Sequence, residues 1–332
     1  FSIDVAYSAK LISKLRAFAA ENEVIVRYEN LKAHIRSMHD NNMIKTYFFF
    51  PFKSDKSVDE YLKDIRYRLE KKYKKLQDYL NGLKKAVIAY SAGVDSTFLL
   101  KTAHDVLGDK VFAVTAYALT FPDREYEEAK EFCEKENIKQ YIVSFDPFAV
   151  PGFSDNDKNR CYVCKKELLG RICDIASENG VTHVLEGSNA DDVLDYRPGL
   201  LAVEELGIKS PLRYAGLTKE DIRNLSKKLN LQKWDKPSFA CLASRFVYGE
   251  TITKEKLMMV NKAENLLFDM GFKQFRVRIH GENLARIEVL PEEIKKLMDN
   301  SRRIVSKFNG YGFTYVTVDM KGYRTGSMNE VL

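Results

Sequence analysis

The chain has 332 residues, of which 45% are hydrophobic and 30% are charged, and its net charge is +6. This composition is that of a globular protein with apolar material for about two domains. No apolar run approaches the ~18 residues of a membrane-spanning helix, and five cysteines, an odd number, argue against a secreted disulfide scaffold and predict a reducing, cytoplasmic location.

The amino-terminal extension, residues 1–70, resists assignment from its sequence. Residues 1–85 carry 18 Lys and Arg against 11 Asp and Glu, so the excess positive charge of the chain lies there. A basic segment attracts nucleic acid or an acidic partner, and a solvated helix surface has the same composition. The patterns predict a helix near 7–20, a strand near 23–28, a helix near 29–38 and a local core at the aromatic run 47–50.

Residues 59–83 predict one amphipathic helix. Leucine, isoleucine and tyrosine recur at spacings of three and four from Leu62 to Leu83, which is the spacing of one helical face. Four lysines between 71 and 75 crowd the same helix. We therefore expect an inward apolar face and a basic face in water.

Strands and helices alternate in the next segment, which predicts an α/β domain over 71–240 with a parallel sheet. Ligands bind beyond the carboxyl ends of the strands in such sheets. The predicted strands are 86–90, 111–117, 140–145 and 183–185. The first predicted helix ends near 106, and the next two span 124–137 and 161–179.

The pattern changes after residue 240, and we predict a small α+β unit over 241–332. A helix from about 253 ends at Gly271, and strands Phe275–His280 and Leu284–Leu290 are joined by Gly-Glu-Asn, a hairpin signal. Pro291 opens another helix, and a last strand covers 313–320.

The sharpest local signal is Ser91-Ala-Gly-Val-Asp-Ser96, between a predicted strand and a predicted helix. Small residues let backbone N–H groups approach an anion, and the helix amino terminus adds a positive dipole. The loop resembles the SGGxDS phosphate loop of the PP-loop ATP pyrophosphatases, which implies ATP binding and substrate adenylation. Ala92 replaces the first glycine, a small change if its φ is negative.

Further motifs narrow the resemblance to the LarE family of ATP-dependent sulfur transferases in nickel-pincer nucleotide biosynthesis. The resemblance covers about 72–332 and leaves the extension out. The motifs are Glu186-Gly-Ser-Asn-Ala-Asp-Asp192, Asp195-Tyr-Arg-Pro-Gly199, Ser210-Pro-Leu212, Trp234-Asp-Lys-Pro237, Ala240-Cys-Leu-Ala-Ser-Arg245, Phe275-Arg-Val-Arg278 and Gly322-Tyr-Arg-Thr-Gly-Ser-Met-Asn-Glu330.

The resemblance implies a mechanism. ATP adenylates a carboxylate of pyridinium-3,5-dicarboxylate mononucleotide, and sulfur displaces AMP to give a thiocarboxylate. The resemblance also implies that Mg²⁺ binds at the phosphate loop and that Cys241, Asp95, Arg245 and Glu264 take part in the reaction. Glu264 could equally be a surface charge on its helix. The residues implied in nucleotide binding are Ser91, Gly93, Asp95, Ser96, Gly187, Asn189 and Asp192.

Three cysteines carry the question of the sulfur source. Cys161 and Cys164 form a C-x-x-C pair at a helix start, and Cys241 lies in the Ala-Cys-Leu-Ala-Ser-Arg motif. The resemblance, in its three-cysteine subset, implies a [4Fe–4S] cluster whose fourth iron binds an extra sulfide. The alternatives are a zinc or redox C-x-x-C site, and a Cys241 that gives up its own sulfur.

Arg276 and Arg278 alternate with Phe275, Val277 and Ile279, so one face of this strand is basic. By resemblance the two arginines bind the nucleotide phosphate. The alternative is a solvated strand face with ion pairs to Glu288.

Two other functions compete with the LarE assignment. A tRNA thiolase of the PP-loop class also combines this loop with a three-cysteine cluster, and the basic extension could hold RNA. A non-catalytic nucleotide-binding module is the third interpretation. The family resemblance further implies a homo-oligomer, and sulfide or a sulfur donor as the second substrate.

Overall fold

A computed structural model describes residues 36–40, 43–47, 58–194, 199–237, 240–324 and 326–327. Among these residues no helix is both long and apolar enough to cross a membrane. The helices and strands, in chain order, are β1 (Arg36–Asp40), β2 (Met43–Tyr47), α1 (Val58–Leu83), β3 (Ala86–Ala89), α2 (Val94–Leu107), β4 (Val111–Tyr117), α3 (Asp123–Lys135), β5 (Gln140–Ser144), α4 (Arg160–Glu178), β6 (Val184–Leu185), α5 (Gly199–Glu205), α6 (Pro211–Ala215), α7 (Lys219–Lys228), α8 (Lys254–Asp269), β7 (Phe275–His280), β8 (Leu284–Val289), α9 (Ile294–Asp299), α10 (Ser301–Tyr311) and β9 (Tyr315–Val318).

The central sheet has the strand order β5-β4-β3-β6, and all of its pairings are parallel. The chain builds outward from β3 through β4 to β5 and then returns to the other side of β3 for β6. The strand order therefore reverses at β3 and β6, which is where α/β sheets open a ligand crevice. The predicted PP-loop type of fold is confirmed.

Alternate residues of the sheet face two helical layers, as the two-residue period of a strand requires. Ile88 packs with α1, α2 and α7 on one side, where Leu76 and Leu80 of α1 are fully buried. Val87 packs with α4 and α5 on the other side. The sheet is thus buried on both faces, and the loops at its strand ends remain to form a site.

The carboxy-terminal unit contains a second sheet of order β7-β8-β9, with an antiparallel β7–β8 hairpin and a parallel β8–β9 pair. Its core also takes in Ala118, Phe145 and Phe153, which lie just beyond β4 and β5. The unit is therefore packed against the carboxyl ends of the central strands. The division of the chain at 70 and 240 stays a prediction, and this core draws on both sides of residue 240.

Most predicted elements recur with shifts of one or two residues, and β4 has its predicted bounds. The prediction of a helix near 29–38 is wrong at its carboxy-terminal end, because Arg36–Asp40 is a strand paired antiparallel with Met43–Tyr47. Ile44, Thr46 and Tyr47 favour strands, and a paired partner outweighs a weak helical pattern. The elements predicted at 7–20 and 23–28, and aromatic residues 48–50, lie outside the described residues.

Candidate functional site

The phosphate loop connects β3 to α2 and is held by its two serines. The Oγ atoms of Ser91 and Ser96 lie 3.1 Å apart, and Ser96 Oγ donates to the Gly93 carbonyl at 3.1 Å. Gly93 begins α2 without a side-chain cap. The first N–H groups of α2 therefore remain for an anion, the arrangement that binds phosphate at helix amino termini.

Ala92 has a φ of +53°, so the condition under which alanine would be a small change from glycine, a negative φ, is not met. The left-handed conformation crowds an alanine Cβ against the backbone and costs roughly 1–2 kcal/mol. Lys236 Nζ lies 3.3 Å from the Ala92 carbonyl oxygen and also pairs with Glu125 at 2.7 Å and with Glu128 at 2.6 Å. Lys236 therefore ties the strained residue to α3, a link that the sequence did not reveal.

Gly187 follows β6 and lies against the phosphate loop. A Cβ at this position would be 3.0 Å from Ser96 N and 3.2 Å from Ser96 Cα, both backbone atoms. An alanine Cβ there would push the Ser96 backbone away by a few tenths of an ångström, so glycine is the residue that fits this approach without displacing it. The next residues hold their own turn, because Asp192 Oδ2 accepts the Asn189 N–H at 2.9 Å and Asn189 Oδ1 accepts the Asp191 N–H at 2.9 Å.

Asp95 points toward α7, where Lys219 Nζ lies 2.5 Å from its Oδ2. Its Oδ1 is buried and has no hydrogen-bond partner in the described part of the chain. Burial raises the pKa of Asp95 above its usual value, against the opposing effect of Lys219. A buried carboxylate oxygen without a partner is costly and would be satisfied by a cation. Lys219 is a second residue that sequence analysis missed.

The three cysteines of interest come together between α4 and the segment that precedes the short 3₁₀ turn Leu242–Arg245. Burial raises the pKa of Cys164 to about 12, and the nearby Cys241 and Cys161 raise it further. Burial also raises the pKa of Cys241, against the opposing charge of Arg160. The remaining two cysteines lie on the inner faces of their helices: Cys133 of α3 is buried in the core, and Cys173 of α4 is partly buried against it.

Within the described ranges, no three His, Cys, Asp or Glu side chains converge on a point that could hold one metal ion. An iron–sulfur cluster makes a different demand, because each thiolate binds its own iron. Cys161 lies near enough to raise the pKa values of both Cys164 and Cys241, and a cluster held by the three thiols stays a prediction.

Arg245 and Glu264 form a fully buried ion pair, with Nε to Oε1 and Nη2 to Oε2 both at 2.8 Å. The surface alternative for Glu264 is therefore wrong. Arg245 Nη1 also donates to the carbonyls of Ala240 at 2.8 Å and Cys241 at 3.2 Å, and Glu264 Oε1 accepts the Val277 N–H at 2.9 Å. The pair holds the backbone of Cys241 against α8 and β7.

Arg276 and Arg278 are both buried, and the solvated strand face considered as an alternative is wrong. Arg278 makes the expected ion pair with Glu288, at 3.1 and 2.9 Å, and donates to the Ser244 carbonyl at 2.8 Å. Arg276 lies over the Tyr323 ring at 5.2 Å. Burial, and then repulsion from Arg245, lowers the pKa of Arg276 to about 10. A phosphate role for the two arginines stays a prediction.

No family model matches the chain. An uncharacterised protein of Synechocystis sp. is 42% identical over 266 residues, which are 80% of this chain and 99% of that protein. The pyridinium-3,5-bisthiocarboxylic acid mononucleotide synthase of Lactiplantibacillus plantarum is 37% identical over 254 residues, 76% of this chain and 92% of the synthase. One subunit of the glutamine-hydrolysing GMP synthase of Archaeoglobus fulgidus is 28% identical over 230 residues, 64% of this chain and 70% of that subunit.

The strain at Ala92 predicts that Ala92→Gly stabilises the protein. Relief of roughly 1–2 kcal/mol exceeds the added entropy of the unfolded chain, about 0.4–1 kcal/mol, so the free energy of unfolding should rise by about 1 kcal/mol in urea titrations. The opposite change, Gly187→Ala, should destabilise because its Cβ meets the Ser96 backbone. A less stable Ala92→Gly variant would contradict the strain.

The buried ion pair predicts that Glu264→Gln removes the carboxylate charge that faces Arg245 in the core and lowers the free energy of unfolding by about 3–5 kcal/mol at pH 7. Burial acts to raise the pKa of Glu264, but Arg245, Arg276 and the Val277 N–H outweigh it and lower that pKa. The stabilisation is therefore present above the unfolded value of about 4.3 and is lost as pH falls through the folded pKa.

Urea titrations from pH 7 to pH 3 should thus show the gap between wild type and Glu264→Gln closing only at acid pH. Asp269→Asn, an exposed change in the same helix α8, serves as the control and should shift stability little at any pH. A pH-independent gap would contradict a charged Glu264.

Proposed function

Because the chain belongs to the LarE family of pyridinium-3,5-bisthiocarboxylic acid mononucleotide synthases, we propose that it is an ATP-dependent sulfur transferase. A carboxylate oxygen of pyridinium-3,5-dicarboxylate mononucleotide bonds to the α-phosphorus of ATP, and pyrophosphate leaves. Sulfur then bonds to the carboxyl carbon, and AMP leaves with the electron pair of the C–O bond. Adenylation is needed because a carboxylate oxygen is itself a poor leaving group.

The observation that carries this proposal is that the phosphate loop and the Cys241 segment lie beyond the carboxyl ends of neighbouring strands of the central sheet. The loop follows β3, and Leu242 donates its N–H to the carbonyl of Thr120, just beyond β4, at 2.9 Å. An acyl adenylate made at the loop would thus form on the side of the sheet that carries Cys241, and proximity supplies much of the rate of a two-step transfer.

ATP binding is assigned to the two loops that meet at β3 and β6. Ser91, Gly93 and Ser96 offer hydroxyl and backbone N–H donors to the pyrophosphate. Gly187 lets the second loop, with Asn189 and Asp192, approach the first. The positive end of α2 stabilises the charge that develops on pyrophosphate as it leaves.

Asp95 is the residue we assign to Mg²⁺. The ion, when bound, would neutralise phosphate oxygens and orient the leaving group. The fit rests on Oδ1 of Asp95, an oxygen of the kind Mg²⁺ prefers, buried without a partner in the described residues. Lys219 holds the other oxygen at 2.5 Å and keeps the carboxylate in place.

We assign a [4Fe–4S] cluster to Cys161, Cys164 and Cys241. Bound there, it would offer an iron without a protein ligand, which can carry an extra sulfide. The assignment is supported by three neighbouring thiols. Burial raises the pKa of Cys164 and of Cys241 and so opposes the thiolate form that binds iron. Thiolates at such positions need compensating positive charge, and the protein already contributes Arg160 and Arg245 beside Cys241.

The substrate phosphate is assigned to Arg276 and Arg278. Arg276 lies between two arginines that have carboxylate partners, because Arg245 pairs with Glu264 and Arg278 pairs with Glu288. Burial, and then repulsion from Arg245, lowers the pKa of Arg276 to about 10, and a phosphate bound there would relieve that repulsion. At pH 7 Arg276 remains charged.

The tRNA alternative depends on the basic amino-terminal quarter of the chain. Several lysines of α1 already have partners: Lys72 pairs with Asp221 at 2.6 Å, Lys74 pairs with Asp78 at 2.9 Å, and Lys75 lies over the Tyr214 ring at 4.4 Å. These contacts explain part of the basic charge as helix packing and surface pairing. We therefore favour the small nucleotide as substrate.

The role of Asp95 predicts that Asp95→Asn abolishes ATP–pyrophosphate exchange while the thermal midpoint changes little. An amide keeps the shape but loses the charge that a magnesium ion needs. Asp105→Asn, which removes one of the two carboxylate partners of Lys101 in the same helix α2, is the matched control and should exchange at the wild-type rate. Wild-type exchange in Asp95→Asn would refute the magnesium assignment.

The sulfur source is decided by counting products per chain. After anaerobic reconstitution with iron and sulfide, the enzyme is given ATP, nucleotide substrate and sulfide, and its intact mass is measured. A cluster predicts more than one thiocarboxylate per chain and an unchanged mass. A sacrificial Cys241 predicts one product and a chain lighter by one H₂S.

Two cysteine variants of α4 provide a second test of the sulfur source. Cys161→Ala should abolish turnover if the cluster assignment is correct, because one iron loses its ligand, and should be tolerated if Cys241 is the donor. Cys173→Ala, in the same helix but packed in the core, is the control and should turn over in either case.

A further inference from the structure

Arg160 is the first residue of α4 and immediately precedes Cys161, yet its guanidinium is buried, with 8% of the residue exposed. Nη1 donates to the Ala243 carbonyl at 2.8 Å and to Oδ1 of Asn156. Ala243 is two residues beyond Cys241. One side chain thus connects the helix that carries the C-x-x-C pair to the segment that carries the third cysteine.

Asn156 extends the connection. It is fully buried, and its Nδ2 donates to the carbonyls of Val247 at 2.6 Å and Glu250 at 3.0 Å. Two backbone bonds run beside it, from Gly249 N to the Asn156 carbonyl at 3.0 Å and from Ile252 N to the Ser154 carbonyl at 2.9 Å. The loop that leads into α4 is therefore hydrogen-bonded to the residues that follow Cys241.

Two arginines donate hydrogen bonds to the backbone of the Cys241 segment. Arg245 donates to the carbonyls of Ala240 and Cys241, and Arg160 donates to that of Ala243. Arg245 has a buried carboxylate partner in Glu264. Arg160 binds neutral groups, and in the described part of the chain it has no carboxylate within ion-pair distance.

The placement of Arg160 is locally unfavourable. A cation in the first turn of a helix opposes the helix dipole, and a buried charge without a counter-ion is costly. The fold maintains this arrangement at the point where three sulfur atoms gather. A sulfide or thiolate bound there carries negative charge. Arg160 and the amino terminus of α4 both stabilise negative charge.

We propose that Arg160 is a positioning residue for sulfur transfer, which sets the Cys241 segment against the C-x-x-C helix and supplies positive charge beside the sulfur. The proposal rests on the proposed function for its chemistry, and on the contacts above for its geometry. It concerns the second half-reaction alone, because Arg160 contacts the Cys241 side of the site and not the phosphate loop.

The test compares Arg160→Met with Arg171→Met, an exposed arginine further along α4 that pairs with Glu167 at 3.1 Å. Both are made in a chain carrying Cys133→Ala and Cys173→Ser, which leaves only the three thiols of interest. The cluster-free, reduced protein is treated with dibromobimane, a short reagent that bridges neighbouring thiols, and peptide mapping identifies bridges that contain Cys241. The reconstituted enzyme is then assayed for thiocarboxylate formation and for ATP–pyrophosphate exchange.

We expect Arg160→Met to lose Cys241 bridging and at least about tenfold in kcat for sulfur transfer, as for a lost charged hydrogen bond. Exchange and the KM for ATP should stay within about twofold of the control. Arg160→Lys should restore part of kcat, because it keeps the charge but not both contacts. Control-level bridging and kcat in Arg160→Met would overturn the proposal.

If Arg160→Met fails to fold, Arg160→Gln replaces it, since glutamine can donate to the Ala243 carbonyl without a charge. Control-level bridging and kcat in that variant would overturn the proposal equally, and a loss of kcat with exchange preserved would support it. If the wild type forms no thiocarboxylate at all, the proposed function fails, while the bridging assay still decides the placement of Cys241.

Discussion

The buried ion pair between Arg245 and Glu264 is the interaction on which the site depends. Taking both charges out of water costs several kcal/mol per ion, and the pair repays this through two bonds of 2.8 Å between the side chains. The remaining donors and acceptors of the pair hold the Cys241 segment and β7. A displacement of either element leaves a buried charge unpaired, so the pair enforces geometry more than it adds stability.

A second buried pair repeats this arrangement nearby. Arg278 and Glu288 lie on facing strands of the hairpin, and Arg278 also reaches the Ser244 carbonyl. The carboxy-terminal sheet is therefore attached to the cysteine segment through charged groups rather than through apolar contact alone. Such networks hold one arrangement firmly when every member is satisfied, which suits a site that must keep an acyl adenylate within reach of sulfur.

The phosphate loop is shaped by close backbone contacts and by lysines from distant segments. At Gly187 a side chain would crowd the Ser96 backbone, whose nitrogen is 3.0 Å from where the Cβ would be, whereas Ala92 keeps a side chain at a φ of +53°. Lysines from distant segments complete the loop: Lys236 contacts the Ala92 carbonyl and Lys219 contacts Asp95. The loop motif is local in sequence, but its charge balance depends on residues more than a hundred positions away.

Much of this protein could be predicted from local patterns. The alternation of strands and helices, the phosphate loop and the hairpin of β7 and β8 each follow from residues within about a dozen positions, because a strand, a turn or a helix terminus is decided by near neighbours. The same reasoning missed the short helices α5 and α6, whose few turns carry little periodicity, and it also missed α7, although the Thr218 and Asp221 capping box was there to be found. It misplaced Arg36–Asp40, whose strand depends on a partner.

Only the tertiary structure decided which polar groups are buried together. Alternation along β7 correctly separated arginines from apolar residues, but it could not reveal that both faces are buried and that the basic face joins a buried group of charges with Glu264 and Glu288. Arg160 and Lys219 carry no local signal either, because a lysine or arginine in a helix is ordinarily a surface residue. Their positions follow from how distant segments pack, and the free energy of a buried charge depends on that packing rather than on the neighbouring sequence.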